Sequence, residues 1–237
     1  MLKVDLHLHT SEDPSDHILY SAADAIDRAA ELGFDALAIT LHDAQFESDR
    51  LRAHARERGI TLIPGVERTI QGRHVLLVNF PARVSMSVSS FADLRHVRRR
   101  GDGIVIAPHP FFPGRSCLRG AIDACAGVFD AVEWSYFWAR AIDFNAPAAA
   151  WAARRGLPLV GNSDMHDIRQ IGRTYTMVDA PPDPDAICGA IRRGRVELCT
   201  APVPYHELVR VFGGLMMRGW LGSINRGAPF DRLSTHA

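Results

Sequence analysis

The chain has 237 residues, 47% of them hydrophobic and 23% charged, a balance usual for a globular protein with one sizeable core. Its 27 Lys and Arg balance 27 Asp and Glu, which excludes the global basic field of a dedicated nucleic-acid binder but not a local patch. Lys3 is the only lysine, so every other cationic side chain apart from histidine is arginine.

Val4-Asp5-Leu6-His7-Leu8-His9-Thr10 alternates apolar and polar residues, the pattern of a half-buried strand, and so would put Asp5, His7 and His9 on one face. Two imidazoles two apart reach one cation, and an Asp behind them can hold an imidazole's second nitrogen. An acidic turn over 11–17 follows, then a helix over 20–33 with Ser21 as N-cap and Gly33 as its end. The apolar run over 35–40 suits a parallel strand buried on both faces and leads into His42. A second helix over 48–58 stops at Gly59.

Strands over 60–66 and 74–80 deliver Glu67 and begin on His74, and their closeness predicts a tight antiparallel or irregular pair. A helix over 91–100 ends in three arginines that complement its dipole. Strand five (103–107) leads to His109, and a short sixth (131–134) contains Glu133, whose role stays undecided. An Ala-rich helix over 146–156 is opened by Pro147, and strand seven (157–161) leads into Asn162-Ser163-Asp164-Met165-His166. Beyond Pro181 come a helix over 185–193 and a last short strand over 195–200. Leu208, Val209, Phe212, Leu215, Met216 and Trp220 then form an amphipathic stretch broken by Gly213-Gly214. The expected organisation is one barrel domain over 1–200 and an extension over 201–237 that packs on the barrel or on a partner subunit of a homo-oligomer.

Strand and helix alternate, and polar groups collect where strands end. In a (β/α) barrel those ends meet on one face, where active sites form. The candidates gathered there are His7, His9, His42, Glu67, His74, His109, Asp164 and His166, which include six of the eleven histidines. Imidazole and carboxylate without thiolate suit Zn, Mn or Fe at a hydrolytic site. So many donors imply two or three divalent cations, with an acid such as Glu67 bridging two of them. Clustered metals fit phosphoester hydrolysis, because they generate a hydroxide nucleophile at neutral pH and clamp the transferring oxygens.

Asp5-Leu6-His7-Leu8-His9-Thr10, Ile39-Thr40-Leu41-His42-Asp43, Gly65-Val66-Glu67, Pro108-His109-Pro110 and Asn162-Ser163-Asp164-Met165-His166 resemble the successive motifs of the PHP (polymerase and histidinol phosphatase) family, in family order, from residue 2 to about 180. The resemblance implies a distorted (β/α)7 TIM-like barrel, a trinuclear metal site and phosphoesterase activity. By position, His7, His9, Glu67 and Asp164 would hold a first metal. Glu67, His74 and His109 would hold a second, and His42, His166 and a loop acid a third. Asp13, Asp16 and His17 compete for the loop place, and Asp13 is preferred. The family's second motif usually reads Thr-Asp-His; Leu41 stands in place of that Asp, which puts support for the third metal in doubt.

Asp164 and His166, with Arg173, are the candidate catalytic residues, and Arg68 and Arg115 the candidate substrate clamps, since guanidinium binds phosphate bidentately. For each arginine a surface ion pair competes with that role. Trp134, Tyr136, Phe137 and Trp138 either line a pocket or belong to the core. The expected substrate is a small phosphomonoester or a short nucleotide or oligonucleotide. An amidohydrolase also places His-x-His on its first strand, but its usual binuclear form needs a bridging lysine in the barrel, which Lys3 cannot be. A non-catalytic metal-binding regulatory domain is the third reading. No apolar run spans a bilayer, the cysteines (Cys117, Cys125, Cys188, Cys199) form no CxxC pair, and no signal-peptide core precedes Asp5. The expected setting is therefore cytoplasmic, without a membrane partner.

Overall fold

The apolar runs become strands of one nine-stranded sheet in the computed structural model, which describes residues 1–99, 101–207 and 209. The strands are β1 (Leu2–Leu8), β2 (Ala36–Ile39), β3 (Thr61–Ile70), β4 (Arg73–Val78), β5 (Ile104–Ala107), β6 (Ala131–Ser135), β7 (Leu159–Asn162), β8 (Tyr175–Val178) and β9 (Val196–Cys199). The helices are α1 (Ala22–Glu31), α2 (Asp49–Glu57), α3 (Ala82–Ser85), α4 (Phe91–Arg98), α5 (Asn145–Arg155) and α6 (Pro184–Arg192). The helix starts follow local chemistry. Ser21 and Ser90 make capping boxes with Asp24 and Asp93, and Asp183 caps α6 ahead of Pro184.

Sheet order is β7-β6-β5-β4-β3-β2-β1-β8-β9. Pairing is parallel from β1 to β3 and from β5 to β7; β4 is antiparallel to both its neighbours, as the short β3–β4 connection requires. That connection turns through Gln71 and Gly72, both at positive φ (50° and 75°), the geometry of a two-residue primed hairpin turn. The sheet then curls until its edges meet. Leu6 N–H donates to Asn162 Oδ1 (2.9 Å) and His9 N–H to Met165 O (3.2 Å), while Gly161 N–H donates to Thr176 Oγ1 (2.9 Å). Gly161 permits this approach, because a Cβ there would lie 2.6 Å from Leu198 Cδ1. The result is a nearly closed, distorted TIM-like barrel in a single α/β domain.

Three packed layers hold it. Val4, Leu6, Ala38, Ile63, Leu76 and Ile106 fill the interior, and α6 packs Ile187 and Ile191 against them. Leu8, Leu37 and Ile39 face α1 and α2, and Val66, Val75 and Leu77 pack towards Leu94 and Trp151. The filled interior leaves the C-terminal mouth as the place for a site.

Three expectations change. β1 is not half-buried: every residue from Val4 to Thr10 is buried. Nor does it alternate cleanly, because its register against β2 shifts between Asp5 and Leu8, and Leu6 and Leu8 fall in different apolar layers. Such a bulge re-aims side chains, so Asp5 does not share the face of His7 and His9. Finally, β8, which pairs antiparallel with β1 and β9, was not anticipated. At the far end of the chain, Val203 is buried beside Tyr136 and Phe137 and its N–H donates to Trp138 O (2.7 Å), so residues just past 200 are already tied to the barrel. Phe212, Leu215, Met216 and Trp220 of the expected extension lie outside the described residues. Among the described residues no helix is long and apolar enough to cross a membrane.

Candidate metal centre

Six strands of the barrel contribute donors at the C-terminal mouth. His7 and His9 come from the bulged end of β1, Glu67 from within β3, and His74 from β4. His42, His109 and the Asp164–His166 pair follow β2, β5 and β7. His109 and Asp164 sit at positive φ (28° and 46°), conformations that non-glycine residues hold only where the surroundings enforce them.

Four of these donors converge on one point. His7 Nε2 and His9 Nε2 are 3.1 Å apart, and Asp164 Oδ1 lies 3.3 and 3.4 Å from them. Glu67 Oε2 completes the set at 3.6 and 3.5 Å. Donors about 2.1 Å from a tetrahedral cation stand roughly 3.4 Å from one another, so the spacing fits an ion. The other Glu67 oxygen, Oε1, lies 2.8 Å from His74 Nδ1 and 3.2 Å from His109 Nε2. That His74 nitrogen is buried without a hydrogen-bond partner, as a nitrogen aimed at a cation would be. Glu67 Oε2 also lies 3.1 Å from His42 Nε2, and His166 Nε2 lies 2.9 Å from Asp16 Oδ2. Chemistry and geometry of the donor set both fit divalent cations.

Behind the imidazoles stand partners for their second nitrogens. Glu133 Oε1 lies 2.8 Å from His7 Nδ1, and its other oxygen accepts from His109 N–H. Asp13 lies behind both His9 and His42, on their Nδ1 side. Cys117 Sγ is 3.3 Å from His109 Nδ1. The holder expected in Asp5 is thus Glu133 and Asp13 instead; Asp5 accepts from the backbone N–H groups of His7 and Ser163. Leu41 is buried in the layer under α1, and the carboxylate against His42 comes from Asp13.

The cluster sets its own charge states. Burial opposes each imidazolium, yet Asp164, Glu133 and Glu67 hold His7 well above its ordinary range. Cys117 and Glu67 do the same for His109, and Asp16 and Asp164 raise His166. His42 is pushed up to about 10 by Asp13 and Glu67. Glu67 and Asp164, also resisted by burial, are held well below the carboxylate range by the surrounding histidines. Asp5 moves the other way: burial outweighs its hydrogen bonds and pushes it up to about 7.

Above the cluster opens a cavity of about 480 Å³, with His42, Glu67, His74, His109, Asp164 and His166 on one side. Phe112, Tyr136 and Phe137 line it, with Gln170 and Arg169. Tyr136 and Phe137 are therefore both core and wall, whereas Trp134 and Trp138 are not in the lining, and Trp138 Nε1 donates to Thr200.

The three arginines expected at the site are elsewhere. Arg68 follows Glu67 on β3 and faces the other side, donating to Asp43 Oδ1 (2.7 Å) and Val88 O (2.9 Å). Arg173 donates to both Glu207 oxygens and to Pro202 O, outside the cavity. Arg115 is exposed and outside the lining, though its neighbours Gly114 and Ser116 belong to it. Arg169 does reach the cavity but is paired with Asp167. Among the loop candidates, His17 is exposed, Asp13 stands behind the histidines, and Asp16 reaches His166. Sequence reasoning left Glu133 undecided and gave Cys117 and Gln170 no role; for Glu133 the available signal was its place on a strand that runs to the same mouth. Lys3 lies at the opposite end of β1, its Nζ donating to Leu32 O, so no lysine bridges the site.

A PHP-domain family model matches residues 5–109 and a PHP-associated model residues 143–196. No curated protein sequence matches the chain. Among solved structures, a two-domain protein containing a predicted PHP-like metal-dependent phosphoesterase, from Bacteroides vulgatus, superposes with a TM-score of 0.68 at 21% identity, covering 90% of this chain and 69% of that one. PsfC from Pseudomonas syringae gives 0.63 at 19% identity, covering 93% and 98%. The lesion-specific endonuclease Q from Pyrococcus furiosus gives 0.56 at 18% identity, covering 83% and 57%. At these identities the superpositions establish the fold. The two family models together span well over half of the residues, with the donor-bearing strand ends inside them, and the chain belongs to the PHP family.

Proposed function

We propose that the chain is a metal-dependent phosphoester hydrolase acting on a phosphomonoester or a short nucleotide or oligonucleotide. One observation carries the reading: His7, His9, Glu67 and Asp164 present their donor atoms at cation-ligand spacing beneath a cavity. His7, His9, Glu67 and Asp164 would hold a first Zn, Mn or Fe ion, and Glu67, His74 and His109 a second. His42 and His166 would hold a third with Asp16, whose contact with His166 favours it over Asp13. When bound, the cations supply an acidified water as nucleophile and neutralise the phosphoryl oxygens.

The chain's own groups do the rest. Asp164 lines the cavity as an ionised carboxylate and would orient the attacking water by accepting its hydrogen bond. His166, raised by Asp16 and Asp164, keeps a proton while no third cation is bound, and can give it to the departing alkoxide. With no unpaired guanidinium in the lining, Arg173, Arg68 and Arg115 have no part in this scheme. The volume of the cavity favours a small substrate. The likeness to endonuclease Q makes a short oligonucleotide the second substrate to try. Four free cysteines suit a reducing compartment, the cytoplasm.

The test is turnover of a phosphomonoester and a short oligonucleotide side by side, in Mn²⁺ and in Zn²⁺, then with chelator. Chelator-sensitive release of phosphate or shortening of the oligonucleotide supports the proposal and chooses the substrate. Bound metal without turnover of either would turn the reading towards a regulatory domain.

A further inference from the structure

Asp13 is fully buried by its side chain, yet it does not face the cavity. Its Oδ2 lies 2.9 Å from His9 Nδ1 and 3.0 Å from His42 Nδ1, and it accepts the backbone N–H of His42 at 2.9 Å. Oδ1 accepts from Ser15 N–H (2.8 Å), which fixes the carboxylate in its loop. Three donors saturate Oδ2, so that oxygen has no lone pair left for a cation. On the opposite edges of the same two rings, His9 Nε2 and His42 Nε2 both face Glu67 Oε2, at 3.5 and 3.1 Å. A proton held at Nδ1 is what leaves Nε2 free as a ligand. The two rings also stack, with centroids 4.3 Å apart and planes 24° from parallel, so turning one turns the other.

We infer that Asp13 is a positioning residue shared by two cation positions, one carboxylate oxygen fixing the tautomer and ring orientation of both His9 and His42. The inference rests on the metal-dependent reading above. It assigns Asp13 to no metal, and it makes two positions that other residues serve separately depend on one side chain. Glu133 offers the contrast: His7 Nδ1 is the one imidazole nitrogen it meets, and its other oxygen takes only the backbone N–H of His109, which sets no ring tautomer.

The test compares Asp13→Ala, Asp13→Asn and Glu133→Ala in the full chain. Zn²⁺ bound per chain and its affinity are measured by competition with a chromogenic chelator. Imidazole ¹⁵N spectra of the Zn²⁺-loaded protein report which ring nitrogen carries the proton. Asp13→Ala is expected to weaken two positions by roughly 10- to 100-fold each and Glu133→Ala one, since outer partners of ligating histidines contribute on that scale. Asp13→Asn, which keeps a neutral acceptor, should recover part of the loss and the Nδ1–H signals. If Asp13→Ala fails to fold, Asp13→Asn still decides: affinities and tautomer signals equal to wild type in it would overturn the inference. Loss of a single position in Asp13→Ala would overturn it too, marking Asp13 as an ordinary one-site residue. A wild-type chain that takes up none of Zn²⁺, Mn²⁺ and Fe²⁺ would overturn the proposed function itself.

Discussion

At the N-terminal mouth of the barrel, Asp130 is buried just before β6 and receives Arg98 Nε at 2.7 Å and Val105 N–H at 3.0 Å, with Arg192 Nε at 3.4 Å. At the same mouth, at the start of β1, Lys3 N–H donates to Asp35 Oδ2, and the Lys3 ammonium lies over the Phe34 and Tyr175 rings. Here acid meets base, and each charged group named has its partner within the chain. At the C-terminal mouth, imidazoles meet imidazoles: His7 and His9 point ring nitrogens at each other from 3.1 Å, and six histidines crowd Glu67 and Asp164. The first arrangement is complete within the chain and serves stability. The second is not, and a buried polar group left wanting is costly unless something outside the chain completes it. Burial of charge therefore does not distinguish structure from function; what distinguishes them is whether the partners are already there.

The largest break in that comparison is at the upper mouth. His9→Ala or Asp164→Ala should lower metal-dependent turnover by more than ~100-fold, since even outer partners contribute up to that factor, while the circular dichroism spectrum stays unchanged. Unimpaired turnover in either would sink the site assignment. The lower mouth should answer the other way. Asp130→Ala leaves Arg98, Arg192 and Val105 N–H without their acceptor and should cost about 2–4 kcal/mol of stability. For a domain of this size that is roughly a 5–15 °C fall in Tm, with turnover per folded molecule retained. A variant that melted normally but lost activity would contradict the division between the two mouths.

A smaller effect separates the mouths by pH. Without metal, His42 is held up to about 10 against an ordinary 6.5, despite burial, by Asp13 and Glu67. This raised value stabilises the metal-free fold fully below pH 6.5, and the contribution is lost as pH rises through 10. Cation binding must displace the same proton, so affinity should climb with pH across that window and uptake should release protons. Calorimetry in buffers of different ionisation enthalpy measures the release; heats identical in every buffer would show that the cluster binds metal without giving up protons.

How much of this was legible beforehand differs between the parts. Donors announced themselves because each motif keeps its ligands within a few residues of a strand end, where periodicity suffices: His7 and His9, His42, Glu67, Asp164 and His166 all come together. Partners behind the ligands did not, because they arise across the fold. Glu133 meets His7 from 126 residues away, and the choice between Asp13 and Asp16 depends on how one loop folds. The bulge that turns Asp5 away from His7 and His9 leaves no mark in an alternating sequence. Four-residue β8, Tyr175–Val178, was too short to stand out, although it is the strand that pairs with β1. Arg68 could have been read better, since a period of two puts it opposite Glu67. Arg173 could not, because its partner Glu207 lies 34 residues on.

The mildest expected effect concerns what the upper mouth admits rather than what it holds. Phe112 lines the cavity and packs edge-to-face on Phe137 and Phe144, with ring centroids 5.6 and 5.2 Å apart. Its only polar tie to a proposed cation donor is through the backbone, Phe112 N–H donating to His109 O (3.1 Å), so a change of side chain leaves the reacting groups in place. Aromatic contacts of this kind contribute about 0.5–1.5 kcal/mol, or roughly 2- to 12-fold in binding. Phe112→Ala should therefore raise KM by that factor for a substrate whose leaving group carries an aromatic ring, and leave kcat nearly unchanged. A glycerol phosphate, with no ring to pack, should show little change. A fall in kcat with KM preserved would mean that this wall aligns the phosphoryl group itself, and would move Phe112 from admitting substrate to positioning it.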